Sequence, residues 1–323
     1  MEEEVAKIDE KIADARKNYG DIEVRDAILE KAKWYRLHKD YEVAKKTYLE
    51  AYDITMGSSK RMDILFDILL MAIETQNLDL IRDNIEKCKK LLEEGGDWEH
   101  RNRLKVFDGI YNILIRDFKN AASLLIDCVA TFTSTDIFSF KELVFYAVLT
   151  SMVGLDRTII RQKVVHSPEI LSEIRETPFL KQFLDSLYLC DYKSFFEAFG
   201  IFSSPTLFIV EIIETVKKDR FMSKHSKYFV KEMRIVAYSQ FLESYKSVTL
   251  ESMAKAFGVS TAFLDKELST FIAAGRISCK IDKVAGIIES NRPDERIALY
   301  QKIIKEGDFL LNRIQKLSRA MDL

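Results

Sequence analysis

The sequence predicts a mainly α-helical protein, in which a right-handed array of helix pairs leads into a winged-helix module and a long C-terminal helix. Only 11 glycines and 4 prolines occur in 323 residues, and this composition favours long helices over a loop-rich sheet protein. A turn motif also recurs along most of the chain, and the spacing of apolar residues changes near Val248. These observations divide the chain into three parts.

A small polar residue followed by a bulky one marks each turn of the predicted array. The instances are Asp40-Tyr41, Asn77-Leu78, Asp117-Phe118, Asp191-Tyr192 and, as a weaker match, Asp156-Arg157. They lie about 35 to 40 residues apart, which is the length of one helix-turn-helix repeat. Between the turns, apolar residues follow helical spacing, as in Ile64, Leu65, Ile68, Leu69, Ala72 and Ile73. About five such units would stack, bury a continuous core and leave a face that can hold other proteins.

From Val248 onward the chain predicts a winged helix. Thr249 can cap a helix over 250–257, a turn follows at 258–260, and 261–273 form a second helix. Alternating residues then indicate a hairpin, with a short return strand at 286–289. Its inward residues are Ile277, Cys279 and Ile281, and its outward residues are Arg276, Ser278 and Lys280.

A final helix is predicted from about Asp294 to Met321. Its apolar positions are spaced 4, 3, 4, 3 and 4 residues apart, at Ile303, Gly307, Leu310, Ile314, Leu317 and Met321. This spacing is the a/d seam of a heptad repeat, interrupted only by the glycine. The seam favours pairing with a helix of another protein, and packing back onto the winged helix is the alternative.

Composition argues against several classes of function. The formal charge of −2 provides no basic field for nucleic acid or anionic lipid. The four cysteines are too far apart for a C-x-x-C motif, and the four histidines form no metal-binding or catalytic motif. The sequence also lacks a phosphate-binding glycine loop and a G-x-S-x-G motif. We therefore predict no catalytic residue, no cofactor, no metal and no small-molecule substrate.

The sequence also bears on location. It begins Met1-Glu2-Glu3-Glu4, without the basic and apolar regions of a signal peptide. Its longest uncharged stretches run to about 13 residues, whereas a transmembrane helix needs about 18 to 20. We expect no membrane association and a location in the cytoplasm and nucleus.

The main alternative function is nucleic-acid binding by the winged helix, whose second helix commonly enters the major groove in such modules. The wing offers the basic residues Arg276, Lys280 and Lys283. The second helix, however, carries Asp265, Lys266 and Glu267, and this net negative charge is expected to repel phosphate. We therefore expect the module to bind proteins rather than nucleic acid.

Four segments carry a resemblance to a known family. They are EGGDWEHRNRLKVFDGIY (Glu94 to Tyr111), KEMRIVAYSQFLESYKSVTLESMAKAFGVS (Lys231 to Ser260), FIAAGRISCKIDKVAGIIESNRPD (Phe271 to Asp294) and GDFLLNRIQKLSRAMDL (Gly307 to Leu323). Helical repeats joined to a winged helix resemble the PCI domain, which is shared by the proteasome lid, the signalosome and a translation initiation factor complex. The segments are most similar to a non-ATPase PCI subunit of the 26S proteasome lid, whose nearest relative is a signalosome subunit.

The resemblance implies a domain organisation and a role. TPR-like repeats would span 1–126, a PCI domain would span 127–291 with its winged helix at 246–291, and a bundle helix would span 292–323. The role would be a non-catalytic lid scaffold that supports ATP-dependent degradation of ubiquitylated proteins. Its partners would be other PCI subunits and the lid and base subunits of the proteasome. A PCI subunit of the signalosome or of a translation initiation complex stays open as an alternative.

The resemblance also implies interface positions. PCI subunits associate side by side through their winged helices and bundle their C-terminal helices. The candidate interface residues are Arg276, Ser278 and Lys280 in the wing, and Ile303, Leu310, Ile314, Leu317 and Met321 in the final helix.

Overall fold

The computed structural model of the protein describes residues 2–18, 20–93, 95, 97–133, 136–198, 210–290 and 295–321. The predicted mainly helical fold is confirmed, with one small antiparallel sheet near the C-terminal end. The helices are α1 (Glu2–Asn18), α2 (Asp21–Leu37), α3 (Tyr41–Ile54), α4 (Ser58–Thr75), α5 (Leu78–Glu93), α6 (Trp98–Leu114), α7 (Phe118–Val129), α8 (Phe140–Gly154), α9 (Arg157–Ile160), α10 (Pro168–Glu176), α11 (Pro178–Tyr188), α12 (Tyr192–Ala198), α13 (Val210–Lys218), α14 (Ser226–Glu243), α15 (Leu250–Phe257), α16 (Thr261–Ala273) and α17 (Glu295–Met321). The strands are β1 (Ser247–Thr249), β2 (Cys279–Asp282) and β3 (Ile287–Ser290).

The chain forms two compact units. The first contains Met1–Tyr188 and Ala198–Val230, and the second contains Leu189–Glu197 and Lys231–Leu323. The start of α14 therefore belongs to the first unit and the rest of α14 to the second. The second unit is discontinuous in sequence, because most of α12 belongs with the winged helix.

Each predicted turn of the repeat array is the start of a helix. The helices α3, α5, α7, α9 and α12 begin at the bulky residue of the motif. The side chains of Asn77 and Asp117 each accept a hydrogen bond at 3.2 Å from the main-chain N–H three residues further on. Such bonds satisfy N–H groups that the first turn of a helix leaves unpaired. The predicted positions of the turns are confirmed.

The residue before the polar one is left-handed at four of these turns. The φ angle is 64° at Lys39, 53° at Gln76, 68° at Arg116 and 64° at Cys190. None of the four is glycine, which is the residue that adopts this conformation without steric cost. The motif therefore has a third position, which is defined by backbone conformation rather than by residue type.

Replacing Lys39 by glycine is expected to stabilise the first unit by about 0.5–1 kcal/mol, because glycine removes the steric cost of the left-handed backbone. The matched control is Lys46→Gly, at an exposed position inside α3. Glycine at position 46 should destabilise the first unit by about 0.7–1 kcal/mol, because glycine is unfavourable inside a helix. Urea denaturation of both variants measures the difference, and a loss of stability in both would contradict the prediction.

The core of the first unit is built from the apolar faces of its helices. All six residues of the stripe predicted in α4 are at most 3% exposed. Phe66 of the same helix stacks on Phe107 of α6, with ring centroids 5.3 Å apart. Cys88 and Cys128 are buried too, and burial raises the pKa of their thiols to about 12 and about 11. These cysteines therefore serve as small apolar side chains.

The second unit contains the predicted winged helix. Both of its helices, α15 and α16, have the predicted bounds, and Thr249 caps α15 by accepting a hydrogen bond at 3.3 Å from the N–H of Ser252. The predicted hairpin is formed by β2 and β3, although β2 begins at Cys279 rather than at Arg276. An additional strand, β1, pairs antiparallel with β3, so the sheet order is β1-β3-β2.

An aromatic cluster forms the core of the second unit. The ring centroid of Phe196 in α12 lies 4.9 Å from that of Phe257 in α15 and 5.4 Å from that of Tyr238 in α14. Tyr192 and Phe241 pack against Phe257 as well. The rings meet in tilted and edge-to-face geometries, which aromatic pairs prefer. This cluster ties α12 to the winged helix.

Candidate interaction surfaces

The wing presents all three of its candidate residues at the surface. Ser278 and Lys280 are exposed, whereas Cys279 between them is buried. Arg276 precedes β2, and its guanidinium lies 2.5 Å from the carboxylate of Glu232 on α14, whose side chain is only 7% exposed. Arg276 is therefore paired with α14 and is still exposed, with 46% of its side chain accessible.

The acidic residues of α16 are engaged within the second unit. Asp265 pairs with Lys283 of the wing at 3.2 Å, and Glu267 pairs with Arg234 of α14 at 2.5 Å. Glu267 also accepts a hydrogen bond at 2.7 Å from the hydroxyl of Tyr238. The prediction of a negative surface on α16 is therefore wrong, because neighbouring cations neutralise the two carboxylates.

The exposed face of α16 carries almost no charge. Along 261–273, all of which the structure describes, the exposed residues are Thr261, Ala262, Lys266, Ser269, Thr270 and Ala273. Nucleic-acid binding draws its affinity from several phosphate contacts made by cations. A face with one lysine offers little of this, and its small side chains instead permit close approach of another protein surface.

The helix α17 is exposed wherever the structure describes its side chains. Every residue from 299 to 319 is exposed, including Ile303, Leu310, Ile314 and Leu317 of the predicted seam. The side chain of Met321 lies outside the described residues. Helices of soluble domains normally bury their apolar stripe. This stripe is uncovered within the described residues, as expected of a surface that contacts another molecule.

The apolar stripe of α17 is broader than the predicted seam. Tyr300 continues the seam by one position, and Ile304 and Leu311 lie beside it; these three residues are 56–62% exposed. At about 100° per residue, the stripe from Leu317 to Ile304 covers about 140° of the helix circumference. A two-stranded coiled coil uses only the narrow a/d seam. The width therefore fits a helix that is contacted on more than one side.

A charged groove of about 910 Å³ lies in the first unit, along α2, α4 and α6. Burial raises the pKa of Asp67 there, and the positive charges of Lys33, Arg36 and Arg103 oppose the rise. Arg36 pairs with Glu74 at 2.7 Å, and Arg103 pairs with a carboxylate of the same unit at 2.8 Å. Because these cations are engaged by carboxylates of the same unit, the groove chiefly links consecutive repeats.

The segment that leads into α14 contacts two of the repeat turns within the first unit. Lys224 donates a hydrogen bond to the side chain of Gln76. Arg116 donates from Nε to Nδ1 of His225 at 2.9 Å and also lies over the ring of Tyr228. The His225 ring nitrogen that accepts this bond must be unprotonated. Burial and the charges of Arg116 and Lys224 lower the pKa of His225.

Acidification is expected to destabilise the first unit through His225. Because its pKa is lowered on folding, the unfolded chain binds more protons below the unperturbed value near 6.5. The contribution of neutral His225 is therefore present above about pH 6.5 and lost as the pH falls below it. The urea concentration at the midpoint of denaturation should decrease when the pH is lowered from 7.5 to 5.5. The decrease should be smaller in His225→Asn, because the amide oxygen of asparagine still accepts from Arg116 and does not titrate. An equal decrease of the midpoint in the unchanged chain and in His225→Asn would contradict the role given to His225.

The part of the chain that the structure describes contains neither a group of metal-binding side chains nor a membrane-spanning helix. Among those residues, no three His, Cys, Asp or Glu side chains are grouped so that they could hold a metal ion. None of the described helices combines the length and apolar character needed to cross a bilayer.

Three family models match the chain. The model described as "26S proteasome subunit RPN7" matches residues 1–163, the "PCI domain" model matches 210–292, and the model of the "RPN7/PSMD6 C-terminal helix" matches 300–321. The last two cover the winged helix and α17. The wing, the exposed face of α16 and the apolar stripe of α17 therefore lie in regions that known families share.

Known proteins are similar over the whole chain. The "26S proteasome non-ATPase regulatory subunit 6 homolog" of Arabidopsis thaliana is 52% identical over 322 residues, covering 100% of this chain and 81% of that protein. The corresponding protein of Oryza sativa subsp. japonica is 50% identical, covering 100% and 80%. The "COP9 signalosome complex subunit 1" of Arabidopsis thaliana is only 20% identical, over 81% of this chain and 58% of that protein. The chain therefore belongs to the family of 26S proteasome regulatory subunit RPN7, also named non-ATPase regulatory subunit 6.

Proposed function

We propose that this protein is a non-catalytic scaffold subunit of the lid of the 26S proteasome regulatory particle. In that role it supports ATP-dependent degradation of ubiquitylated proteins by holding other subunits in place. The observation that carries the proposal is the exposed apolar stripe of α17, in a chain that belongs to a family of proteasome subunits. An uncovered stripe of this width is explained by a partner.

The partners we propose are other PCI subunits, together with lid and base subunits of the proteasome. The winged helix would contact a neighbouring PCI subunit through Arg276, Ser278 and Lys280. The seam of α17, at Ile303, Leu310, Ile314, Leu317 and Met321, would contribute to a helical bundle. We further propose the division into TPR-like repeats at 1–126, a PCI domain at 127–291 and a bundle helix at 292–323, and a location in the cytoplasm and nucleus.

The proposal is tested by affinity purification of the tagged full-length chain from cells and identification of the proteins that co-purify. We expect the lid and base subunits of the proteasome in near-stoichiometric amounts. Recovery of signalosome or translation initiation subunits instead would overturn the assignment. The identity of 52% to a proteasome subunit against 20% to a signalosome subunit disfavours that alternative.

Reversing the charge at Lys280 is expected to weaken incorporation into the lid, because a carboxylate would replace a cation on the outward face of the wing. Lys280→Glu should reduce the co-purified neighbouring subunits about three- to tenfold. The matched control is Lys255→Glu, an exposed lysine of α15 in the same unit. Equal recovery for both variants would remove Lys280 from the proposed interface.

Nucleic-acid binding is the other candidate function, and the nearly neutral face of α16 disfavours it. Titration of the chain against duplex DNA and structured RNA at two salt concentrations separates the two functions, because phosphate contacts make affinity fall steeply with salt. We expect no specific binding. A tight complex that weakens steeply with salt would support the alternative.

A further inference from the structure

One position on α17 differs from all of its neighbours. Gly307 lies within a helix of 27 residues, where glycine is the least favourable residue apart from proline. A Cβ atom at this position would meet nothing within 4 Å. Neither the helix nor the rest of the described chain therefore requires glycine here.

The neighbours of Gly307 on the helix surface are all bulky and apolar. At three, four and seven residues on either side, they are Tyr300, Ile303, Ile304, Leu310, Leu311 and Ile314. Each of the six is 55–62% exposed. A missing side chain inside such a ring leaves a shallow depression, and we call these six residues with Gly307 the α17 socket.

We propose that the α17 socket receives one bulky aliphatic or aromatic side chain from a helix of another subunit of the particle. The inference rests on the proposed function, which makes α17 an interface, and it adds the residue type that the partner presents. In helix packing, a side chain of one helix inserts into a hole formed by four residues of the facing helix. Glycine deepens such a hole, because it lets the partner approach the backbone.

The chemistry of the ring selects the occupant. Its walls are hydrocarbon apart from the Tyr300 hydroxyl, so a polar side chain inserted there would lose water without gaining a hydrogen-bond partner. A large apolar side chain would instead be covered on all sides and would cover the ring in return. The partner residue is therefore of the size of leucine, methionine or phenylalanine.

A second copy of this chain is a poorer occupant. In a parallel, in-register pair, Gly307 would face Gly307, and two missing side chains would leave a cavity at the centre of the seam. The breadth of the stripe also exceeds what one partner helix covers in a coiled coil. We therefore assign the socket to a different subunit.

A volume series in the full-length chain tests the proposal. Gly307→Ala, Gly307→Val and Gly307→Leu are co-expressed with the other non-ATPase subunits of the particle, and incorporation is read from native mass and co-purification. We expect a graded loss that reaches at least about tenfold for leucine, because overfilling a packed site is destabilising. Helix propensity acts in the opposite direction for alanine and leucine, since both favour a helix more than glycine does.

The controls separate the socket from the interface as a whole. Asn312→Leu adds a leucine on the opposite face of α17 and should change incorporation less than about twofold. If removal of 292–323 abolishes incorporation but the Gly307 series has no effect or improves it, the socket is overturned and the interface stands. If the truncated chain is incorporated normally, the proposed interface itself fails. A stable dimer of the isolated chain that Gly307→Leu disrupts would assign the socket to a second copy and overturn our choice of partner.

Discussion

Deletion of residues 292–323 is expected to abolish incorporation of the chain into the lid while leaving both compact units folded. The reason is that every described residue from 299 to 319 is exposed, so removing α17 uncovers little of the remaining core. Most of the exposed large hydrophobic residues of the second unit, among those that the structure describes, lie on α17. We expect co-purified lid subunits to fall below about a tenth of the full-length level, which corresponds to a loss of more than about 1.4 kcal/mol in binding.

The measurement has two parts. Circular dichroism and urea denaturation of the truncated chain should give a single transition close to that of the full-length chain. Co-expression with the other lid subunits should then give a particle that lacks the truncated chain. A folded, truncated chain that joins the lid as well as the full-length chain would refute the role given to α17.

Replacing Gly154 by alanine is expected to destabilise the first unit by about 2–3 kcal/mol, because the added methyl group overlaps main-chain atoms. A Cβ at Gly154 would lie 2.6 Å from the Cα of Lys119 and 2.7 Å from the carbonyl oxygen of Phe118. These atoms belong to the first turn of α7 and are fixed by its hydrogen bonds. A flexible side chain could move aside, whereas this backbone cannot shift without disturbing the repeat.

Gly20→Ala is the matched control for that prediction. Its Cβ would meet only a carboxylate oxygen of Glu23, at 3.4 Å. Alanine before the start of α2 should therefore cost less than about 1 kcal/mol. Urea denaturation gives the free energy of unfolding of both variants. A decrease of less than about 1 kcal/mol for Gly154→Ala would contradict the prediction and show that α7 and α8 can move apart to make room for the methyl group.

Local signals account for the parts of the fold that could be predicted from the sequence. A polar cap followed by a bulky residue places helix starts at Leu78 and Phe118, because capping depends on residues within one helical turn. The bounds of α15 and α16 follow in the same way from Thr249 and Ser260, whose side chains cap them.

Features that depend on distant partners could not be predicted. The strand β1 has three residues, too few to show alternation, and it exists because β3 pairs with it. The charges of Asp265 and Glu267 read as a negative surface in sequence, yet Lys283 and Arg234 neutralise them from other elements. The exposed seam of α17 was predicted from heptad spacing, whereas the flanking Ile304 and Leu311 fall outside that spacing.

The strand order β1-β3-β2 has a consequence for the order of events during synthesis. Each helix pair of the first unit can pack on its predecessor as the chain emerges, because its contacts are mostly near in sequence. The edge strand β1 must instead wait for β3, which follows both winged-helix helices and β2, the first strand of the hairpin. Phe196 likewise waits for Tyr238 and Phe257. The winged helix is therefore completed late in translation, so its docking surface becomes available only after the first unit has had time to fold.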